Sequence, residues 1–219
     1  MIQAVPKFPD LTKSSYEFAS NGVYFGQNFL CISLNSVDAV DRASYQMRYA
    51  SPYVLTHSNI NKLDRNISNF TALLMSRWLS GVSVQWFDVD EKVFTHFARS
   101  GDSGKDIMEE VISPHYKFGF KWETWPNEKS FEKSYCKPKY NYTAENIQEL
   151  KLGDDSIILN ENDHSKWGIA KEEHKTGIVC SGDLNRAYSQ NKRGGGYACF
   201  EDPNLWKALH GIIKKTDSC

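Results

Sequence analysis

The sequence predicts a mixed α/β sandwich, on three observations. Segments with period-two hydrophobicity are interspersed with amphipathic helical segments, no strict βαβ rhythm orders them, and no short repeat or low-complexity tract interrupts them. The 219 residues suffice for one domain, or one and a half, with a real core. Composition (40% hydrophobic, 13% aromatic, 24% charged) excludes disordered, collagen-like and coiled-coil chains. No apolar run approaches the length of a membrane span, so no membrane partner is expected.

The elements follow in order. Residues 22–34 (GVYFGQNFLCISL) are aromatic and β-branched and read as a buried strand. Ser36 is placed to cap a helix over 37–50, which stops before Ser51-Pro52. The polar stretch 56–72 reads as a surface loop. Residues 82–89 and 93–98 alternate as strands, 103–112 reads as a short helix, and 116–125 (YKFGFKWETW) alternates again. Residues 126–140 read as a loop and 156–159 as a short strand. Asp202-Pro203 starts a helix to about residue 215, burying Leu205, Trp206, Leu209, Ile212 and Ile213.

Charge is nearly balanced, with 26 basic and 27 acidic residues. That argues against a protein that holds nucleic acid by bulk positive charge at neutral pH. Six histidines change the sum in acid: protonating all of them takes −1 to −1 + 6 = +5. Five cysteines and three glycosylation sequons, at Asn66, Asn69 and Asn141, lean toward an oxidising, secretory compartment. No leader peptide opens the chain, so the expectation is a protein lacking its true N-terminus.

The chemistry concentrates in residues 162–200. His164 and Lys166 are two apart, so on an extended segment both side chains share a face. An imidazole and an ammonium together suit a phosphodiester: the first attacks or shuttles a proton, the second neutralises phosphate oxygens. Asn185 and the amides near Gly182 can add neutral donors. One H-x-K triplet alone occurs in many unrelated proteins. The same spacing recurs at His115 and Lys117, and is read as coincidence at a strand entry. Gly101–Lys105 lacks the spacing of a phosphate-binding loop, and no H-E-x-x-H or paired C-x-x-C occurs, so neither metal nor cofactor is expected. Trp167 is placed to line a substrate groove, Tyr188 and Tyr197 to stack on a base, and Lys192 and Arg193 to contact more distant phosphates. A solvated basic turn is the plain alternative for the last two.

Seven blocks together resemble the deoxyribonuclease II family, in the family's order and across essentially the whole chain. They are AVPKFPDL, FGQNFLCISL, FARSGDSGKDI, DHSKW, CSGDLNR, SQNKRGGG and LWKAL. That family belongs to the phospholipase D superfamily, whose two similar halves each give one H-x-K to a shared site. The resemblance implies a phospholipase D-like sandwich with one complete C-terminal half, residues 81–219, and the remainder of an N-terminal half, residues 1–80. It implies metal-independent hydrolysis of DNA at acid pH to 3′-phosphate ends, in lysosomes or outside the cell. His164, Lys166 and Asn185 fall on the catalytic positions, and Asp183 stands where the superfamily usually has Ser. It also implies disulfides Cys180–Cys199, worth about 3 kcal/mol by loop entropy, and Cys136–Cys219, leaving Cys31 over.

The chain departs from the family pattern in two places. The first H-x-K lies just before AVPKFP in the family, where this chain begins, and Gln3 replaces a further family histidine. Three readings follow: a fragment of an active enzyme, a short paralogue with little activity, or a homodimer pairing two His164 residues across a two-fold axis. The rival outside enzymology is a secreted, inactive DNA-binding or host-interaction protein. A phosphodiesterase acting on lipid is a third alternative.

Overall fold

The computed structural model describes residues 2–3, 25–54, 67–89, 91–126, 129–136, 142–153, 156–171, 177–217 and 219. A two-residue strand β1 (Ile2–Gln3) pairs antiparallel with β2 (Phe29–Leu30). Helix α1 (Val37–Ala50) starts where Ser36 accepts a hydrogen bond from the Ala39 amide. It ends at Ser51 in the left-handed conformation. Helix α2 (Ser68–Leu74) follows, then the hairpin of β3 (Val82–Val89) and β4 (Lys92–Arg99). A π-helical turn (Met108–Ile112) runs into α3 (Ser113–Tyr116). The remaining strands are β5 (Phe120–Glu123), β6 (Ala144–Leu152), β7 (Ser156–Leu159), β8 (Trp167–Ala170), β9 (Ile178–Gly182) and β10 (Gly195–Glu201). Helix α4 (Pro203–Ile212) and β11 (Ile213–Asp217) close the chain.

Nine of these strands form one sheet, in the order β11-β6-β5-β8-β9-β10-β4-β3, with β7 pairing β6. The β5–β6 pair is parallel and the other pairs are antiparallel. The predicted mixed α/β class is therefore observed, and so are helix α1 and the β3–β4 hairpin.

Strand alternation splits the core in two. Phe97, Phe120, Trp122, Cys180 and Tyr197 meet Ile107, Met108 and Ile112. Phe94, Trp167, Ile169, Val179 and Phe200 meet Trp206, Leu209 and Ile212 of α4. Helix α1 lies on the face of His96, whose Nδ1 is 3.3 Å from Gln46 Oε1. Both implied disulfides are present. Cys180 and Cys199 are directly opposed on β9 and β10, and Cys136–Cys219 ties the C-terminus to the segment before β6.

Several elements differ from expectation for identifiable reasons. The buried strand expected over 22–34 is not found among its described residues, 25–34: only Phe29–Leu30 is strand there, and Phe29 is exposed. Gly26, Gln27 and Asn28 interrupt the apolar run, and this segment follows the H-x-K segment instead. The expected loop 56–72 ends in helix α2, whose Asn69 and Phe70 amides donate to the Asp41 carboxylate. Helix α4 stops at Ile212 and the chain turns into edge strand β11. Leu205 on α4 is largely exposed, whereas Trp206, Leu209, Ile212 and Ile213 pack on the core. His115 packs edge-on against Phe97 and Tyr116, each at 5.0 Å, and Lys117 ends α3 in the left-handed conformation, so that second H-x-K spacing is structural.

Candidate active site

His164 and Lys166 lie between a 3-10 turn (Asn160–Asn162) and the start of β8. The segment is extended because it is held on both sides. On one side the Gly26 amide donates to Asn162 O (3.1 Å) and the His164 amide donates to Gly26 O (2.9 Å). The Asn28 side chain accepts from the Lys166 amide (2.6 Å) and donates to Ser181 Oγ (2.7 Å). On the other side the Gly182 amide donates to Lys166 O (3.0 Å). Gly26 must lack a side chain, since a Cβ there would run into the Asp163 carboxylate. Asp163 in turn accepts from the Ser165 amide at 2.8 Å.

The two key side chains are placed differently. The His164 ring is half-buried, 3.7 Å centroid to centroid from Trp125 and 5.4 Å from Phe25. Lys166 is only 5% exposed, and its ammonium donates to the backbone carbonyl of His164. Desolvation, then repulsion from Lys166, lowers the His164 pKa to about 4 against a pull upward from Asp163. Desolvation likewise lowers Lys166 to about 8, opposed by Asp163, Asp183 and Glu123 and reinforced by Arg193. At pH 5 the imidazole is therefore neutral beside a charged ammonium. A histidine held neutral stabilises the fold above its unfolded pKa, and that contribution is lost as pH falls from about 6.5 through about 4.

Glu123, at the end of β5, is fully buried, and among the described residues neither carboxylate oxygen has a hydrogen-bond partner. Desolvation and the nearby Asp163 push its pKa well above the usual carboxylate range, against attraction from Lys166. A raised folded pKa means no cost below about pH 4.5, where both states are protonated, and a growing cost as pH rises above it. Glu123→Gln is expected to raise the urea midpoint at pH 7 relative to the parent, with the difference vanishing near pH 4. A midpoint lower than the parent's at pH 7 would show that the ionised carboxylate is needed.

Trp125 links His164 to the second motif. Its amide donates to Asn185 Oδ1 at 3.2 Å and its indole to Glu161 O at 2.8 Å. Asn185 is nearly buried. Asp183 accepts from the Gly196 amide (2.8 Å) and pairs with Arg193 (2.7 Å). Lys192 is exposed, its ammonium 5.1 Å above the Tyr188 ring. The structure thus brings His164, Lys166, Asp183, Asn185 and Arg193 around one locus.

Two aromatic expectations are corrected. Trp167 faces the core with Val179 and Phe200, because β8 begins there and alternation turns it away from Lys166. Tyr197 is fully buried and donates to Leu184 O at 2.6 Å, so it cannot stack on a base. Trp125, not Trp167, packs against the His164 imidazole. Asn69 lies on α2 with its amide nitrogen donating to Asp41 at 2.7 Å, and Asn66 and Asn141 fall outside the described residues. Sequence reasoning also missed Asn28, Asp163 and Glu123. Asn28 and Asp163 sit inside motif blocks, but nothing in their spacing reveals that both brace the H-x-K segment.

A sequence model of the family described as deoxyribonuclease II matches residues 1–219. The chain belongs to the deoxyribonuclease II family. It is 28% identical to Plancitoxin-1 of Acanthaster planci and 29% identical to cell death-related nuclease 6 of Caenorhabditis elegans. It is 26% identical to human deoxyribonuclease-2-beta. Each match covers 100% of this chain and 60–61% of the relative, so the chain spans about three fifths of their length. The deoxyribonuclease II motifs acquire structural roles here beyond the H-x-K. Arg186 of CSGDLNR is buried, 3.5 Å from Asp106 and 3.6 Å from Glu109, and bonds Asn146 Oδ1 at 2.7 Å. Asp106 belongs to FARSGDSGKDI, so Arg186 joins two motif blocks that are 80 residues apart. Glu132 completes an acidic trio with Asp106 and Glu109, and burial followed by Asp106 raises its pKa to about 7.

Proposed function

We propose that this chain carries one half of the site of an acid endodeoxyribonuclease, with His164 as the nucleophile. The observation that carries the reading is an imidazole beside a buried ammonium on a segment clamped from both sides, where desolvation and that ammonium draw the imidazole pKa down. A neutral ring nitrogen attacks phosphorus, the N–P bond forms, and the P–O5′ bond breaks. The leaving oxygen takes its proton from a second acid, which by family resemblance is the histidine of the other H-x-K. Water then attacks the phosphohistidine, the P–N bond breaks, and a 3′-phosphate end remains with His164 regenerated. Lys166 and Asn185 hold the phosphate oxygens, with Lys166 supplying the fixed positive charge. Arg193 and Lys192 contact flanking phosphates, and the added charge of protonated histidines aids DNA attraction in acid. A lysosomal or secreted setting fits both the acid chemistry and the two disulfides.

The test is incubation of supercoiled plasmid with the chain at pH 5 in EDTA, followed by end-group analysis. Nicks carrying 3′-phosphate and 5′-hydroxyl ends support the reading, and 5′-phosphate ends overturn it. DNA retention with no nicking supports the inactive DNA-binding paralogue instead. Nicking that rises with the square of chain concentration identifies a homodimer, in which a partner His164 serves as the second acid.

A further inference from the structure

The basic turn at Lys192–Arg193 is anchored from below by a charge that never reaches solvent. Arg99, the last residue of β4, is 1% exposed. Its guanidinium donates to Gln190 O at 2.6 Å and Asn191 O at 2.8 Å, and lies 3.4 Å from Asn191 Oδ1. A buried guanidinium forfeits its hydration, and here its hydrogen bonds go to the carbonyls of one surface turn. Two further contacts fix the same turn. Asn191 donates to Glu132 at 2.6 Å, and Gly101 lies so close to the Lys192 carbonyl that a Cβ would collide with it. Above this frame Lys192 is exposed, and Arg193 pairs with Asp183 and acts electrostatically on Lys166.

We propose that Arg99 is a positioning residue for DNA phosphates: it fixes the 190–191 carbonyls so that Lys192 and Arg193 present their charges beside the His164–Lys166 site. This inference rests on the nuclease reading above, because it takes DNA as the ligand. Arg99 itself touches no substrate. An arginine suits the task better than a lysine, since its planar fork reaches two adjacent carbonyls at once. The same contacts explain why FARSGDSGKDI and SQNKRGGG are coupled: Arg99 and Gly101 of the first both rest on the second.

The experiment measures binding of a fluorescently labelled duplex by anisotropy at pH 5 over a range of salt, in EDTA, on His164→Ala so that cleavage does not interfere. In that background Arg99→Gln is expected to weaken binding about tenfold and lower the salt slope by ~1–2, as loss of one or two phosphate contacts does. Arg99→Lys should fall between the two. With Lys192→Ala and Arg193→Ala already in place, Arg99→Gln should have no further effect, because it acts through them. An equal loss in that background overturns the proposal, as does unchanged affinity. Gly101→Ala, a change in a half-buried turn that presses on the Lys192 carbonyl, should give the same loss if Arg99→Gln does not fold. A parent that binds no DNA defeats the nuclease reading. Amide exchange over residues 188–194 then decides the anchoring separately: faster exchange confined to that loop in Arg99→Gln supports it, and unchanged exchange overturns it.

Discussion

His164→Ala is expected to lower strand cleavage at pH 5 by at least about 10³-fold, the scale seen when one member of a catalytic unit is removed. The imidazole is the nucleophile in this account, and no neighbouring group can take its place. Among the described residues the ring packs against Trp125 and Phe25, neither of which offers a basic nitrogen, and the Lys166 amine is protonated at pH 5. The fold should survive the change. The His164 backbone keeps its bonds to Gly26 and to the Lys166 ammonium, while among the described residues the half-buried ring packs against Trp125 and Phe25. Unaltered thermal melting with nicking lost is the expected pair of results. Residual nicking within tenfold of the parent would place the attacking group elsewhere.

Arg186→Met should be the most damaging single change to stability. Its guanidinium is fully buried and faces Asp106 and Glu109, and it also donates to Ala144 O at 3.1 Å and Asn146 Oδ1. Removing one member of a buried ion pair leaves its partners charged and uncompensated, at about 3–5 kcal/mol. The loss should shrink in acid, where the neighbouring Glu132, its pKa raised to about 7 by burial and Asp106, takes up its proton and the uncompensated charge falls. Urea denaturation at pH 7 and pH 4.5 reads both effects. A destabilisation that is equal at the two pH values would mean that packing of the guanidinium, and not its charge, is what matters.

How much of this was legible in the sequence depends on distance along the chain. The Ser36 and Asp202 helix starts and the alternation of 82–98 are local patterns, and the structure has them. The strands beneath the motifs were harder to see. Residues 144–152 (AENIQELKL) carry three charged side chains yet form the long strand β6, because its neighbours bury both faces. The environment of the site was hidden for the same reason. Asn28 lies 138 residues from the Lys166 amide it holds, and Trp125, distant in sequence, packs on the His164 ring. Burial was hidden as well. An imidazole of ordinary pKa would be largely protonated at pH 5, but desolvation and the Lys166 ammonium keep this one neutral. The acid optimum that the family resemblance implies must then come from the second proton donor and from DNA attraction.

The central claim is a neutral imidazole at position 164, made so by burial and by the ammonium of Lys166. Nuclear magnetic resonance titration of the His164 ring in the folded chain measures it directly. A midpoint near 4 that moves upward in Lys166→Met is the predicted result. A midpoint at 6.5 or above, unmoved by that substitution, would contradict the account.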